Sequence, residues 1–186
     1  MSSTVARKTA RLGMVLGAVV ALYVAGRVLG LETFFHADRI RELVGQAGAF
    51  GPLAFMALFV AAVVAQVPGI VFVIAAPALF SFGTALGLCW LASILAVVAN
   101  FELVRRMGGQ PLAEAQRPWL QKLLSGLEAN PVRTIALLRI ITIMFPPVTG
   151  ALALTSVSSR DHAIGSAVGM LPPIAMILVV AGYFIG

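Results

Sequence analysis

Arg139 is the residue whose type and surroundings point most directly to chemistry. It lies inside an apolar segment, Thr134–Phe145, with no acidic residue within four positions. A charged side chain at membrane depth costs several kcal/mol, so a polar partner or a water-filled cleft has to offset that cost. The guanidinium can donate two parallel hydrogen bonds to a phosphate group. We predict that Arg139 binds an anionic headgroup; the alternative is a structural arginine paired with a backbone carbonyl or a remote carboxylate.

Two helix-breaking dipeptides, one Pro-Gly and one Pro-Pro, interrupt the apolar stretches near this arginine and earlier in the chain. Non-helical backbone at membrane depth is tolerated only against protein or a cavity. Pro68-Gly69 and Pro146-Pro147 therefore predict two hairpin tips that meet near the midplane. Short helices that end there could receive a polar headgroup. Three polar residues flank the tips and are predicted to bind substrate: Gln66, Thr142 and Thr149. The alternative is that the breaks simply end short helices packed against their neighbours.

The remaining polar residues favour structural roles. Glu102 precedes Arg105 and Arg106 by one helical turn, a spacing that predicts an interfacial ion pair. His36 and His162 fall in separate connectors, so we expect no metal site and no cofactor. The sequence has no HExxH, GxSxG or Walker motif, and we therefore expect a protein that is not an enzyme.

Composition identifies the class of protein that carries these residues. Of the 186 residues, 60% are hydrophobic and 11% are charged, and the mean hydropathy is +1.02. Soluble domains are roughly half apolar and about a quarter charged, so a water-soluble domain and a disordered chain are both excluded. Cys89 is the only cysteine, which excludes an internal disulfide. The 13 basic residues lie mostly between apolar runs, a distribution that favours membrane orientation over nucleic-acid binding.

The order of apolar segments predicts an all-α integral membrane protein that begins with an anchor. Residues 1–31 comprise a basic start and the apolar run Leu12–Leu31, whose length of about 20 residues favours a retained transmembrane anchor over a cleaved signal peptide. Glu32–Gln46 then has the spacing of an amphipathic interfacial helix. Two legs too short to span a bilayer, Leu53–Val67 and Ile70–Phe80, predict a re-entrant hairpin before the span Thr84–Val104.

The same order of elements returns in the second half of residues 32–186. Gly108–Asn130 is predicted to be a second amphipathic helix, followed by the legs Val132–Phe145 and Val148–Val157 and by the span Ala163–Ile185. Pro68 and Pro146 lie 78 positions apart. The pattern predicts two repeats, about 36–107 and 110–186.

Charge distribution gives these repeats an orientation. With a cytoplasmic N-terminus, the basic residues that fall inside are Arg105, Arg106, Arg117, Lys122, Arg133 and Arg160, as the positive-inside rule requires. The two hairpins then enter from opposite faces, which is an inverted-topology repeat. We expect a multi-pass protein of the bacterial inner membrane.

Several of these residues resemble the DedA/VTT-domain superfamily, also called the SNARE-associated Golgi protein family, nearest its Tvp-like bacterial branch. The resemblance covers about residues 45–186 and is strongest from Leu137-Leu138-Arg139 to Pro146. Other matching segments are Ala75–Gly87, Phe101-x-x-x-Arg105-Arg106-Met107-Gly108-Gly109, Gly150–Thr155, Arg160-Asp161 and Gly165-x-x-x-Gly169-Met170-Leu171-Pro172.

The resemblance implies a protein that moves lipid, either phospholipid or a polyprenyl-phosphate carrier, between leaflets in membrane homeostasis. Its partners would be membrane lipids, including anionic phosphate headgroups, and no nucleic acid. The alternative is a non-transporting scaffold or assembly factor that recruits another membrane complex through small-residue faces such as Gly165-x-x-x-Gly169. A homo-oligomer, and coupling to protons or sodium, stay open at this point.

Overall fold

A computed structural model describes residues 37–108 and 125–185, and these residues contain helices and turns but no β-strand. The first half comprises α1 (Ala37–Gln46), α2 (Gly51–Val64), α3 (Ile70–Ala75) and α4 (Phe82–Gly108), with 3₁₀ turns at Gly48–Phe50 and Ala76–Ala78. After a helical segment at 125–129, the second half comprises α5 (Pro131–Thr142), α6 (Pro146–Ala153) and α7 (Ser159–Ile185).

Part of the predicted order of elements is seen in both halves of the described residues. Two short helices separated by a break precede a helix of 27 residues in each half, α4 in the first and α7 in the second. The long helices begin 77 positions apart, at Phe82 and Ser159. Both are longer than the predicted spans. The predicted anchor Leu12–Leu31 and most of the amphipathic segment Gly108–Asn130 lie outside the described residues.

Each break passes through a non-glycine residue with a positive φ. These residues are Gln66, with φ of 68°, and Ile143, with φ of 47°. At Ile143 the ψ is −106° and the Phe145 N–H donates to the Thr142 carbonyl at 2.9 Å. This is the geometry of a type II′ turn with Ile143 at the position that normally holds glycine.

The location of the second break corrects one sequence prediction. Pro146 and Pro147 do not form the break, because α6 begins at Pro146 and the irregular backbone lies at residues 143–145. Proline suits the first turn of a helix, where its missing N–H would have no intrahelical partner. The first break, by contrast, does include Pro68 and Gly69, as predicted.

The long helices carry apolar side chains on the outside of the molecule. Phe82–Met107 and Ser159–Phe184 are each long and apolar enough to cross a bilayer. Only 33% of an apolar 18-residue stretch of the first helix is buried, and 39% of such a stretch of the second. Large apolar side chains such as Ile141, Tyr183 and Phe184 are at least 80% exposed. An apolar exterior on two helices of spanning length fits a membrane protein and not the core helix of a soluble one.

Helix α5 packs tightly against α7 at two glycines of α7. A Cβ on Gly165 would lie 2.8 Å from the Cβ of Ile135, and one on Gly169 would overlap the backbone of Ala136. Glycine at both positions lets α5 and α7 approach closely. This contact holds the leg that carries Arg139 against α7.

Candidate functional site

The two helix breaks, at residues 65–69 and 143–145, lie against each other and are called here the first and second tips. A cavity of about 180 Å³ lies between them, lined by Pro68, Gly69, Ile70, Thr142, Ile143, Met144, Phe145 and Pro146. A Cβ on Gly69 would lie 2.9 Å from the sulfur of Met144 and 2.8 Å from the ring of Phe59. Gly69 is therefore the position at which the first tip accepts a side chain from the second.

Arg139 lies directly behind the second tip and is completely buried. Its Nε donates to the Ser166 hydroxyl at 3.2 Å, and its NH1 donates to the Ile143 carbonyl at 3.0 Å. Its NH2 donates to the Thr149 hydroxyl at 3.0 Å and lies 3.5 Å from Nε2 of His162. The guanidinium thus joins α5, the turn at Ile143, α6 and α7.

These contacts bear on the two roles that the sequence leaves open for Arg139, an anion-binding residue or a structural one. The structural alternative describes this conformation, since a backbone carbonyl is among the partners of Arg139. All four contacts are with neutral groups, so the described residues bonded to Arg139 leave its charge uncompensated. They also occupy only four of the five guanidinium N–H groups.

The other predicted substrate-binding residues divide between the two tips. Thr149 contacts Arg139, whereas the Thr142 hydroxyl donates to the Leu138 carbonyl of its own helix at 2.8 Å, although Thr142 also lines the tip cavity. Gln66 is buried at the first tip, and its amide donates to Asn100 Oδ1 of α4 at 3.4 Å. Thr142 therefore lines the same cavity as Ile143, whose carbonyl bonds Arg139. Gln66 instead bonds to α4.

Glu102 interacts electrostatically with Arg105, as its spacing predicts, but the hydrogen bonds of both side chains go to other groups. The Glu102 carboxylate accepts a hydrogen bond from the Ser159 hydroxyl of α7. The Arg105 guanidinium donates to the carbonyls of Ala153 and Thr155, each at 3.0 Å. Arg105 thereby satisfies carbonyls at the end of α6 that the helix itself leaves free. Arg106 is exposed.

Sequence reasoning missed His162, which it assigned to a connector. His162 lies in the first turn of α7, is completely buried, and stacks on Phe101 of α4 with ring centroids 4.2 Å apart. Phe101 in turn lies 4.2 Å below the Arg105 guanidinium. The one signal in the sequence is the spacing of His162 and Ser166, which places both on one face of a helix.

The polar cluster has no counterpart in the described part of the first half. Positions 77 residues before Arg139, His162 and Ser166 are occupied by buried Ala62, Ala85 and Cys89. That region is filled by an aromatic cluster, in which Phe59 and Phe72 stack with centroids 4.9 Å apart. The two halves share the order of their helices, but among the described residues the polar cluster around Arg139 lies only behind the second tip.

Comparison with known proteins gives one match. The family model of the VTT domain matches residues 67–184, which is more than half of the chain and includes both tips, Arg139 and both long helices. Neither the curated proteins nor the solved structures include a match to the chain.

Proposed function

The chain belongs to the VTT-domain family, a family of membrane proteins associated with membrane homeostasis, and from this we propose that it moves phosphate-bearing lipids between leaflets. The lipid headgroup would pass the point where the two hairpin tips meet, while the acyl chains stay in the bilayer. No bond is made or broken in this process. We place the protein in the bacterial inner membrane with its N-terminus in the cytoplasm.

The observation that carries the proposal is a buried guanidinium with neutral partners directly behind a cavity between two broken hairpins. Ile143 connects the two features, because it lines the cavity and its carbonyl accepts from NH1 of Arg139. A phosphate that displaces this carbonyl would gain a charge-assisted hydrogen-bond pair. It would also supply the negative charge that the bonded partners of Arg139 lack.

The cavity offers few hydrogen-bond donors from α6. This helix begins with Pro146 and Pro147, which carry no N–H, and the N–H groups of Val148 and Thr149 both donate to the Phe145 carbonyl. The walls are otherwise mostly apolar, which suits passage better than tight retention. Thr142 contributes the one hydroxyl among the residues that line the cavity.

The test is lipid exchange in liposomes that contain the purified full chain. Vesicles carry a fluorescent phosphatidylglycerol or a fluorescent polyprenyl phosphate, and a membrane-impermeant quencher reports the rate at which inner-leaflet label reaches the outside. We expect faster exchange than in protein-free vesicles for at least one lipid. Equal rates with and without protein, for both lipids, would reject the proposal.

Arg139→Lys is the informative variant, with Arg133→Lys as its matched control. Lysine keeps the positive charge but loses the planar fork, so we expect exchange to fall about tenfold. Arg133 lies on the same helix and is exposed, so its replacement should leave the rate unchanged. Equal rates for the two variants would remove the phosphate-binding role of Arg139.

A further inference from the structure

His162 is a buried polar residue that the proposed lipid path does not itself use. It is completely buried, and its ring is nearly parallel to that of Phe101, with an interplanar angle of 13°. Phe101 belongs to α4 in the first half of the chain, whereas His162 belongs to α7. The stack is therefore a contact between the two halves, and it lies within reach of Arg139.

The contact with Arg139 fixes the form of the imidazole. NH2 of Arg139 lies 3.5 Å from Nε2 of His162. Guanidinium N–H groups can only donate, so Nε2 has to be the nitrogen with the free lone pair, and the ring proton is on Nδ1. The ring is consequently neutral, which suits a position close to the positive charges of Arg139 and Arg105.

A histidine at this position carries a cost that an apolar residue would avoid. Its Nδ1 is buried, and the backbone of Val97 on α4 is the partner within reach of the ring. Phenylalanine could stack on Phe101 without burying polar atoms that need partners. What histidine adds over phenylalanine is the Nε2 acceptor that faces Arg139, together with a ring nitrogen near the Val97 backbone.

We propose that His162 is a positioning residue for Arg139. Its neutral Nε2 directs the NH2 group of the guanidinium, and the stack on Phe101 anchors that direction to α4. The role in lipid movement rests on the proposed function, since Arg139 is the residue that would bind the phosphate. The role in orienting Arg139 stands on the geometry of the cluster alone.

The first experiment compares three replacements in the liposome assay. His162→Phe keeps a stacking ring but removes the acceptor, and we expect exchange of the phosphate-bearing lipid to fall about tenfold, the usual scale for a lost hydrogen bond to a charged group. His162→Gln carries an amide oxygen that can replace Nε2 and should recover most of the rate. Ile174→Val, a mild truncation at a buried apolar position of α7, controls for loss of packing and should stay near the wild-type rate.

The second experiment asks whether His162 acts through Arg139. In an Arg139→Lys background, adding His162→Phe should change the rate by less than about twofold, because the group that His162 orients is already absent. If the two replacements instead multiply, or if His162→Phe and His162→Gln are equally slow, the positioning role is overturned.

A third measurement keeps this inference separate from the proposed function. The unfolding temperatures of wild type, His162→Phe, Arg139→Lys and the double variant are measured in detergent, where no lipid exchange is needed. A coupled pair gives a double variant less destabilised than the sum of the single variants. Additive shifts would reject the positioning role even if lipids are moved. Coupled shifts without any lipid exchange would keep it and reject the proposed function.

Discussion

Arg139 forms hydrogen bonds with both the backbone N–H and the carbonyl of Ile143. The Arg139 carbonyl accepts the Ile143 N–H at 2.8 Å, and the Arg139 guanidinium donates to the Ile143 carbonyl at 3.0 Å. Ile143 has a φ of 47°, a conformation that is strained for a β-branched residue. The arginine therefore stabilises a turn whose residue would otherwise favour another conformation.

The strain at Ile143 predicts an unusual order of stability for two replacements. Ile143→Gly removes the side chain and the strain together, whereas Ile143→Ala removes most of the side chain but keeps the Cβ that conflicts with a positive φ. We expect the glycine variant to be more stable by about 1 kcal/mol, measured by thermal unfolding in detergent. The same pair at Ile140, a helical and exposed position of α5, should show alanine as the more stable. Alanine ahead of glycine at both positions would contradict the strained turn.

The contact between the two tips predicts a strong effect of one added methyl group. A Cβ on Gly69 would lie within 2.9 Å of Phe59, Val63 and Met144, distances that force these residues to move. We expect Gly69→Ala to lower both the unfolding temperature and the rate of lipid exchange, because the first tip can no longer seat Met144. Gly83→Ala is the control, since a Cβ there meets nothing within 4 Å. Equal behaviour of the two variants would mean that the tips do not pack as described.

Much of the outline could be predicted from the sequence, because hydropathy and helix breakers are local signals. The first break at Pro68-Gly69 and the two long helices were found in this way. The predicted position of the second break is three residues too late, because proline is typical of both a helix break and a helix start. The type II′ turn at Ile143 contains no glycine that would indicate it in the sequence. A turn stabilised by a side chain from the preceding helix leaves no local pattern.

The site was only half predictable for a related reason. Arg139 was identified because a charge in an apolar segment is conspicuous wherever it occurs. Its partners Ser166 and His162 lie 27 and 23 positions away, and only tertiary packing brings them together. Glu102 accepts its hydrogen bond from Ser159 and interacts with Arg105 only electrostatically. The packing of α7 against α4 brings in this donor, which local spacing cannot reveal.

The scaffold alternative can be tested at a glycine where an added side chain would contact no other described residue. Gly165 and Gly169 pack against α5, so bulky replacements there would disrupt the fold under either function. Gly87 lies on α4 with nothing within 4 Å of an added Cβ. We expect Gly87→Leu to retain normal lipid exchange in liposomes and normal function in cells. Normal exchange with loss of cellular function would favour a scaffold that uses this face.

An inverted orientation of the two repeats, as the charge distribution predicts, would let equivalent positions label from opposite sides of the membrane. Phe50 precedes α2 and Ala129 precedes α5, and both are exposed, so cysteines at these positions mark where each hairpin enters. The background is Cys89→Ala, because Cys89 is buried and alanine leaves no new polar group in the core. A membrane-impermeant maleimide added to intact spheroplasts should label Phe50→Cys at once and Ala129→Cys only after permeabilisation, since the positive-inside rule places the Arg105–Arg133 region in the cytoplasm. Labelling of both cysteines from one side would mean that the hairpins enter together, and the meeting of their tips would then need a different path for lipid.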